Sequence, residues 1–561
     1  MRSILVSLSL SICALATAAE PWTTVATEGQ SFTVSGTQTV RYGLGARWTQ
    51  KQVTGTVKCS NSVFGDPYPY RVKQCEVQAT QAPGPANLSA APKVFFTDLD
   101  SGPNTGGLNN KGAIVTVYGK NFGATRGSSF VTVGGGAVDN YISWSDTKVV
   151  VQLGSSAKTG DIALVNGSGL TSNGVPFTVR SGPIYFVSAS GNGDGSFASP
   201  MSPNSFYAAV KPGATFYVRG GNYPGMYGHK TYNDFNIVFG SSKGGTPGNP
   251  VAVVGYPGET ATFSGQTGVL SFRDADSPAP AAKYITVANL RMVCNEACVH
   301  SSANTGQGVT KSGAANIRLV GNVMSASYTW NTATGIIAIG GDGWRVLGNE
   351  LKDTGAYEPG TTEPIKNNHA IYVQVGASDI DIGWNYLHHL RMGHLIQVHT
   401  DIASKHENVR IHDNVITASA VGEARGINIG DTLPGTYGEI SGNVISNLGA
   451  DFSGIAIYSG DWKITRNTLH NINAYSGMLW LTNQSGKPTA TITDNIFVSD
   501  GKSPYIGLWD GTTGAQAKVS GNVYFGKGAG PAFDASAINA NPKLGADFKP
   551  TSPAAIGKGA Q

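Results

Sequence analysis

A chain of 561 residues with 40% hydrophobic residues, 13% charged residues and 75 glycines is long enough for several domains and too apolar to be disordered. Its formal net charge is +4, and no Lys/Arg-rich run accompanies it, which excludes nucleic-acid binding through a basic stripe while tolerating an acidic polymer. Few charges with many Gly, Thr, Val and Ile point to an all-β extracellular protein.

The first residues, from Met1 and Arg2 to Ala18 and Ala19, have the basic start, apolar stretch and small-residue end of a secretion signal. Residues 1–19 are therefore expected to be a signal peptide, cleaved after Ala18 or Ala19, and the protein to be secreted. No later stretch is apolar and long enough to span a bilayer. Removal of Cys13 leaves Cys59, Cys75, Cys294 and Cys298, an even number. Two local disulfides, Cys59–Cys75 and Cys294–Cys298, are expected.

Residues 20–90 alternate polar and apolar (Ser31, Phe32, Thr33, Val34; Thr39, Val40, Arg41, Tyr42) and read as a small β module around the first cysteine pair. A Pro/Ala-rich joint at residues 82–86 ends it. Residues 91–181 form a second unit. Its segments GAIVTVYGKNFG (112–123), VTVGG (131–135), WSDTKV (144–149) and VPFTV (175–179) run in the order of the IPT/TIG family, which this unit resembles. The resemblance implies an immunoglobulin-like β-sandwich serving as a spacer or binding appendage, without catalysis.

From residue 182 to 561 a short phrase ending in Asn and an aliphatic or similar residue recurs at Asn289, Asn322, Asn349, Asn385, Asn414, Asn443, Asn467, Asn495 and Asn522. The spacing is roughly 24 to 36 residues, the period of a solenoid of stacked coils. The recurring Asn is expected at one tight turn per coil, in a left-handed backbone, passing side-chain hydrogen bonds from layer to layer. With its entry segments IYFVS (184–188) and PGATFYVRGGNY (212–223) and its tail at residues 541–554, this region resembles the right-handed parallel β-helix proteins of the pectate lyase-like superfamily. The resemblance implies a catalytic β-helix acting on polysaccharide. Lyases, hydrolases, epimerases and phage spikes share the scaffold.

A second strand follows each ladder residue: GIIAI (335–339), AIYVQ (370–374), LIQVH (395–399), GINIG (426–430), GIAIY (454–458) and MLWLT (478–482). Period-two alternation turns the aliphatics inward and stacks the others outside. The expected columns are Tyr372, Gln397, Asn428; Gln374, His399, Gly430, Tyr458; and His369, His394, Arg425. Of ten histidines, His369, His388, His389, His394, His399, His406 and His412 fall within this short stretch. An insertion at residues 357–368, carrying Glu358, Glu363 and Lys366, would wall a groove over the columns.

A basic, donor-rich groove suits β-elimination of a uronate, in which the carboxylate must be neutralised before a base removes the neighbouring proton. Arg425, helped by Gln397 and Asn428, is the expected neutraliser, His394 or His399 the base and Tyr372 the acid. Lys366 and His369 are second candidates for these roles. Tyr458, Trp480 and Trp509, in consecutive coils, are expected to stack on sugar rings. Calcium is a candidate cofactor, with Glu363, Asp401, Glu423 and Asp431 as its oxygen donors. Asp379 and Asp381 are expected to cap a turn, and His388 and His389 to line a loop.

The leading expectation is a secreted, monomeric polysaccharide lyase for an acidic substrate. One alternative is a glycoside hydrolase using a carboxylate pair from the same four acids. The other is a non-catalytic carbohydrate-binding or adhesion protein whose two front modules do the binding.

Overall fold

The computed structural model describes residues 22–44, 47–69, 71–78, 91–227, 235–265, 268–272, 281–301, 303–305, 308–311, 313–326, 335–352, 369–389, 393–400, 404–417, 425–449 and 453–561. Two compact units emerge, one spanning residues 16–86 and one spanning 87–561. In the first, Trp22–Thr27, Ser31–Leu44, Arg47–Lys58 and Gln74–Gln78 make one antiparallel sheet. Val40, Tyr42, Phe32 and Phe64 fill its core, and the Cys59–Cys75 disulfide ties the end of the third strand to the fourth. Arg41 lies between the rings of Trp22 and Trp48, at 4.5 and 4.2 Å, and pairs with Glu76.

The second unit begins with a β-sandwich of a four-stranded and a five-stranded sheet, closed by alternate residues such as Val115, Val117, Val131, Val133, Ile162 and Leu164. From Ile184 the chain becomes a parallel β-helix. Among the described residues its three long sheets contain 12, 12 and 10 strands, each pairing in parallel with the strand one coil earlier. The inner column of the first sheet runs Phe216, Val253, Val287, Leu319, Val346, Ile382, Ile411, Ile440, Ile464, Ile492. Every member is 0–1% exposed, so each coil adds a layer to one continuous apolar core. The Cys294–Cys298 disulfide also forms. Both bridges are as expected of a chain that matures in an oxidising compartment. Among the described residues no helix is long and apolar enough to cross a membrane.

The outward face of that first sheet changes character along the rod. Its column reads Phe186, Tyr217, Val254, Ala288, Val320, Leu347, Gly383, His412, then Ser441, Thr465, Thr493 and Ser520. The apolar part is buried against the sandwich, in one cluster with Phe96, Tyr118 and Val117. Burial of that stretch leaves the polar remainder in water, so the alternation of residue type along the column sets where the sandwich ends.

At the edge of this seam His412 lies edge-on to Trp384, 4.5 Å between ring centres, and Trp384 in turn stacks on Phe95. His412 Nε2 is 2.7 Å from Asp381 and Nδ1 is 2.8 Å from Asp413. Burial opposes charge on this imidazole, but the two carboxylates outweigh it and push its pKa up to about 9. Asp381 is thus a partner of a buried imidazolium rather than a turn cap. A folded-state pKa above the ordinary histidine value means the pair stabilises fully below about pH 6.5 and progressively less as pH rises through about 9. The expected effect is on the order of 2–3 kcal/mol. The melting temperature of the wild type should fall between pH 6.5 and 9.5 by more than that of His412→Gln. Equal slopes would remove this role.

The Asn ladder is present, with its phase corrected by one residue at the first turn. Asn322, Asn349, Asn385, Asn414, Asn443, Asn467, Asn495 and Asn522 are 0–1% exposed. From Asn322 to Asn495, each donates its backbone N–H and its side-chain Nδ2–H to Oδ1 of the next, at 2.8–3.0 Å. The left-handed residue is the one before each Asn: Gly321, Gly348, Trp384, Asp413, Gly442, Arg466, Asp494 and Gly521. Gly321 and Gly348 meet a second demand, since a Cβ would lie 2.6 Å from the Tyr118 hydroxyl and 2.4 Å from the Phe96 ring.

Asn289 occupies this left-handed position (φ 56°) and not the ladder. Leu290 holds the ladder place, donating its N–H to Asn322 Oδ1. Asn289 is turned to the sandwich, accepting from the Tyr118 hydroxyl at 2.6 Å and donating to Asp98 at 2.8 Å. At the other end Asp534 replaces the next Asn: its carboxylate accepts from Asn522 Nδ2 and the Tyr524 hydroxyl, each at 2.9 Å.

Candidate active site

The third sheet carries the site on seven strands: β1 (Gly335–Ile339), β2 (His369–Val373), β3 (His394–Val398), β4 (Arg425–Ile429), β5 (Ile455–Ile457), β6 (Leu479–Thr482) and β7 (Ile506–Trp509). Ile337, Ile371, Ile396, Ile427, Ile455, Leu479 and Ile506 pair in register and point inward. The neighbouring outward column is Ala338, Tyr372, Gln397, Asn428, Ala456, Trp480, Gly507. At the strand starts Gly335 pairs with His369, and His394 with Arg425. One residue past the strand ends, amide bonds to Val373, Val398 and Ile429 align His399, Gly430 and Tyr458. All three columns read from the alternation are therefore in place, because parallel pairing without a slip preserves facing from coil to coil.

His369 and His394 stack, with ring centres 5.8 Å apart and planes 21° from parallel. His369 Nδ1 lies 3.1 Å from the carbonyl oxygen and 3.2 Å from the amide nitrogen of His394, so either tautomer finds a partner there. Burial, with His399 and Arg425 adding repulsion, holds His369 down to about 3. Burial and the same cationic neighbourhood hold His394 well below the ordinary histidine range. Burial thus favours the neutral form of both rings.

Tyr372 stands edge-on to His369 at 5.0 Å, and its hydroxyl is 3.2 Å from His399 Nδ1. His399 is half-buried, the most accessible imidazole of the three. Gly430 makes room for it: a Cβ there would lie 2.8 Å from His399 Cδ2 and 3.4 Å from Asn428 Nδ2. Beside them Gln397 Oε1 and Asn428 Oδ1 are buried with no hydrogen-bond partner among the described residues. Such unpartnered groups are costly in a dry interior. Arg425 is half-buried at the head of β4. Burial pushes Tyr458 up to about 12, and Arg425 acts against that rise.

Beyond Tyr458 the face turns aromatic. Tyr458 meets Trp480 at 5.2 Å, Trp480 meets Trp509 at 6.2 Å, and Trp509 meets Tyr475 at 5.6 Å, all edge-to-face. Trp480 is only 7% exposed and supports its neighbours, whereas Trp509 is 40% and Tyr475 65% exposed. Tyr475 was invisible to strand periodicity because it lies in the turn before β6. An aromatic residue within the small, polar stretch Asn473–Gly477 was the available signal.

Of the remaining sequence candidates, Lys366, Glu363, Asp401 and Glu423 lie outside the described residues, and Asp431 is exposed. Among the described residues no group of three or more His, Cys, Asp or Glu side chains is arranged to hold a metal ion. Of the other four histidines of this stretch, His406 lies beside the backbone of His399, and His388, His389 and His412 have partners of their own. His388 Nε2 bonds Glu350 at 2.9 Å and its ring stacks on Tyr386, with His389 beside it. His406 is fully buried on the Ala377 carbonyl at 2.8 Å, and His412 serves the sandwich seam. The loop expected around His388 is instead a strand end bonded to Glu350.

Fold and site together define a parallel β-helix protein with a histidine, arginine and amide patch on one sheet and an immunoglobulin-like sandwich on another. Residues 99–179 match the family model described as IPT/TIG domain. Solved structures similar to the chain include a rhamnogalacturonan lyase (12% identity, 67% of this chain and 96% of that chain, TM-score 0.40). A pectate lyase (14%, 68% and 90%, TM-score 0.28) and a GH136 lacto-N-biosidase from Eubacterium ramulus (12%, 64% and 67%, TM-score 0.29) are others. At these identities and scores no reaction passes from them to this chain.

Proposed function

We propose that the protein is a secreted polysaccharide lyase that cleaves a uronate-containing chain by β-elimination on the third sheet. The observation that carries this reading is the register of β2, β3 and β4, which gathers Tyr372, His399, Gln397, Asn428 and Arg425 on one face. Arg425 neutralises the uronate carboxylate and the side-chain N–H groups of Gln397 and Asn428 donate to it, which stabilises the enolate-like intermediate. In the tautomer whose Nδ1–H donates to the Tyr372 oxygen, His399 Nε2 carries the lone pair that takes the proton next to the carboxylate. The bond to the leaving glycosidic oxygen then breaks, that oxygen takes the Tyr372 hydroxyl proton, and a C=C bond remains in the sugar. His369 and His394, neutral and buried, orient the patch without competing for the proton. Tyr475 and Trp509 offer faces for sugar rings farther along the groove.

Incubation with pectate, alginate, glycosaminoglycans and bacterial exopolysaccharides should give ultraviolet absorbance from the new C=C bond with at least one of them. New reducing ends without that absorbance would replace elimination by hydrolysis, and absence of any product would leave a carbohydrate-binding role.

A further inference from the structure

Around the corner from the site, the turns that follow β4, β5 and β6 enclose a cleft of about 780 Å³. Its floor is a register column at the start of the first sheet's strands, Tyr437 beside Asp461 beside Thr489. Thr432, Ser459, Asn483 and Lys487 wall it on the turn side. Ser459 directly follows Tyr458 of the site column, and its hydroxyl is tied to the Gly430 carbonyl at 2.8 Å. The cleft and the patch therefore share the coils of β4 and β5.

The chemistry of the two differs. The patch has Arg425 and imidazoles and suits an anion. The cleft has one carboxylate and one ammonium, hydroxyls, an amide and the ring of Tyr437, which is 47% exposed. A carboxylate such as Asp461 accepts hydrogen bonds from sugar hydroxyls but repels a uronate, Lys487 and Asn483 donate, and an open tyrosine face covers the apolar side of a pyranose. The volume lies within the range of small-molecule sites.

We infer that this cleft is a second saccharide subsite, taking an uncharged, hydroxyl-rich sugar segment rather than the uronate. The segment's identity as a branch or flanking stretch of the cleaved polymer rests on the proposed lyase activity, whereas binding itself does not. The test is calorimetric titration of the full chain with neutral gluco-, galacto-, xylo- and arabino-oligosaccharides and with uronate oligosaccharides. The wild type should bind at least one neutral series. Tyr437→Ala and, separately, Asp461→Ala should weaken that binding by about tenfold or more, with uronate binding unchanged. His399→Ala should leave neutral binding intact, so a failed lyase assay does not decide this question. A branched acidic polymer losing affinity in Tyr437→Ala while its debranched form does not would identify the segment as a branch. Equal losses would identify a flanking stretch. No binding of any neutral series at millimolar concentration, or neutral binding untouched in both variants, overturns the subsite.

Discussion

Replacement of His399 by alanine should lower the elimination rate by roughly 10²–10⁴-fold, the usual range for a positioned proton-transfer group, while the fold stays intact. The fold survives because the ring is half-buried and its contact is to Tyr372, with no role in the apolar core. Tyr372→Phe should also lower kcat with KM little changed, since the hydroxyl both accepts from His399 Nδ1–H and protonates the departing oxygen. Gly430→Ala is an indirect check: its Cβ would press the His399 ring from 2.8 Å, so activity should fall although neither partner is altered. Initial rates from the ultraviolet absorbance, with circular dichroism as the folding control, read all three. His399→Ala retaining activity within about threefold, when such a group normally supplies at least a hundredfold, would remove His399 as the base.

Asn414→Ala should destabilise the protein by about 3–5 kcal/mol, because several buried groups lose partners at once. Asn414 Oδ1 accepts from the backbone and side-chain nitrogens of Asn385, and its Nδ2 donates to Ile382 O and to Asn443 Oδ1. The site is fully buried, so water cannot replace them. Asn414→Leu should restore the volume without the bonds and recover only part of the loss, since Leu290 at the first turn needs only its N–H to meet the ladder. Thermal melts of the two variants separate packing from hydrogen bonding. A drop within about 1 kcal/mol for Asn414→Ala, the size of a single exposed bond, would mean the ladder adds little.

Much of this was legible in the chain before any coordinates. The coil period, the inward aliphatics, both cysteine pairs and the three outward columns of β2 to β4 follow from local rules, and the sandwich from the resemblance of its segments to the IPT/TIG family. Less legible was the role of individual polar residues. The repeated phrase around Asn289 looks like every other, yet a one-residue offset turns that amide to Asp98 and Tyr118. His412 and His399 look alike in sequence, yet one meets two carboxylates under the sandwich and the other a tyrosine beside open space.

The sequence by itself determined the parallel coil stack and which residues share a column, because period-two alternation and a recurring turn are properties of consecutive residues. Only the tertiary structure decided which polar columns face solvent and which are covered. That depends on where the sandwich lies on the first sheet and on how the turns between coils fold over the third. Both are contacts between segments far apart in the chain, and no local pattern encodes them.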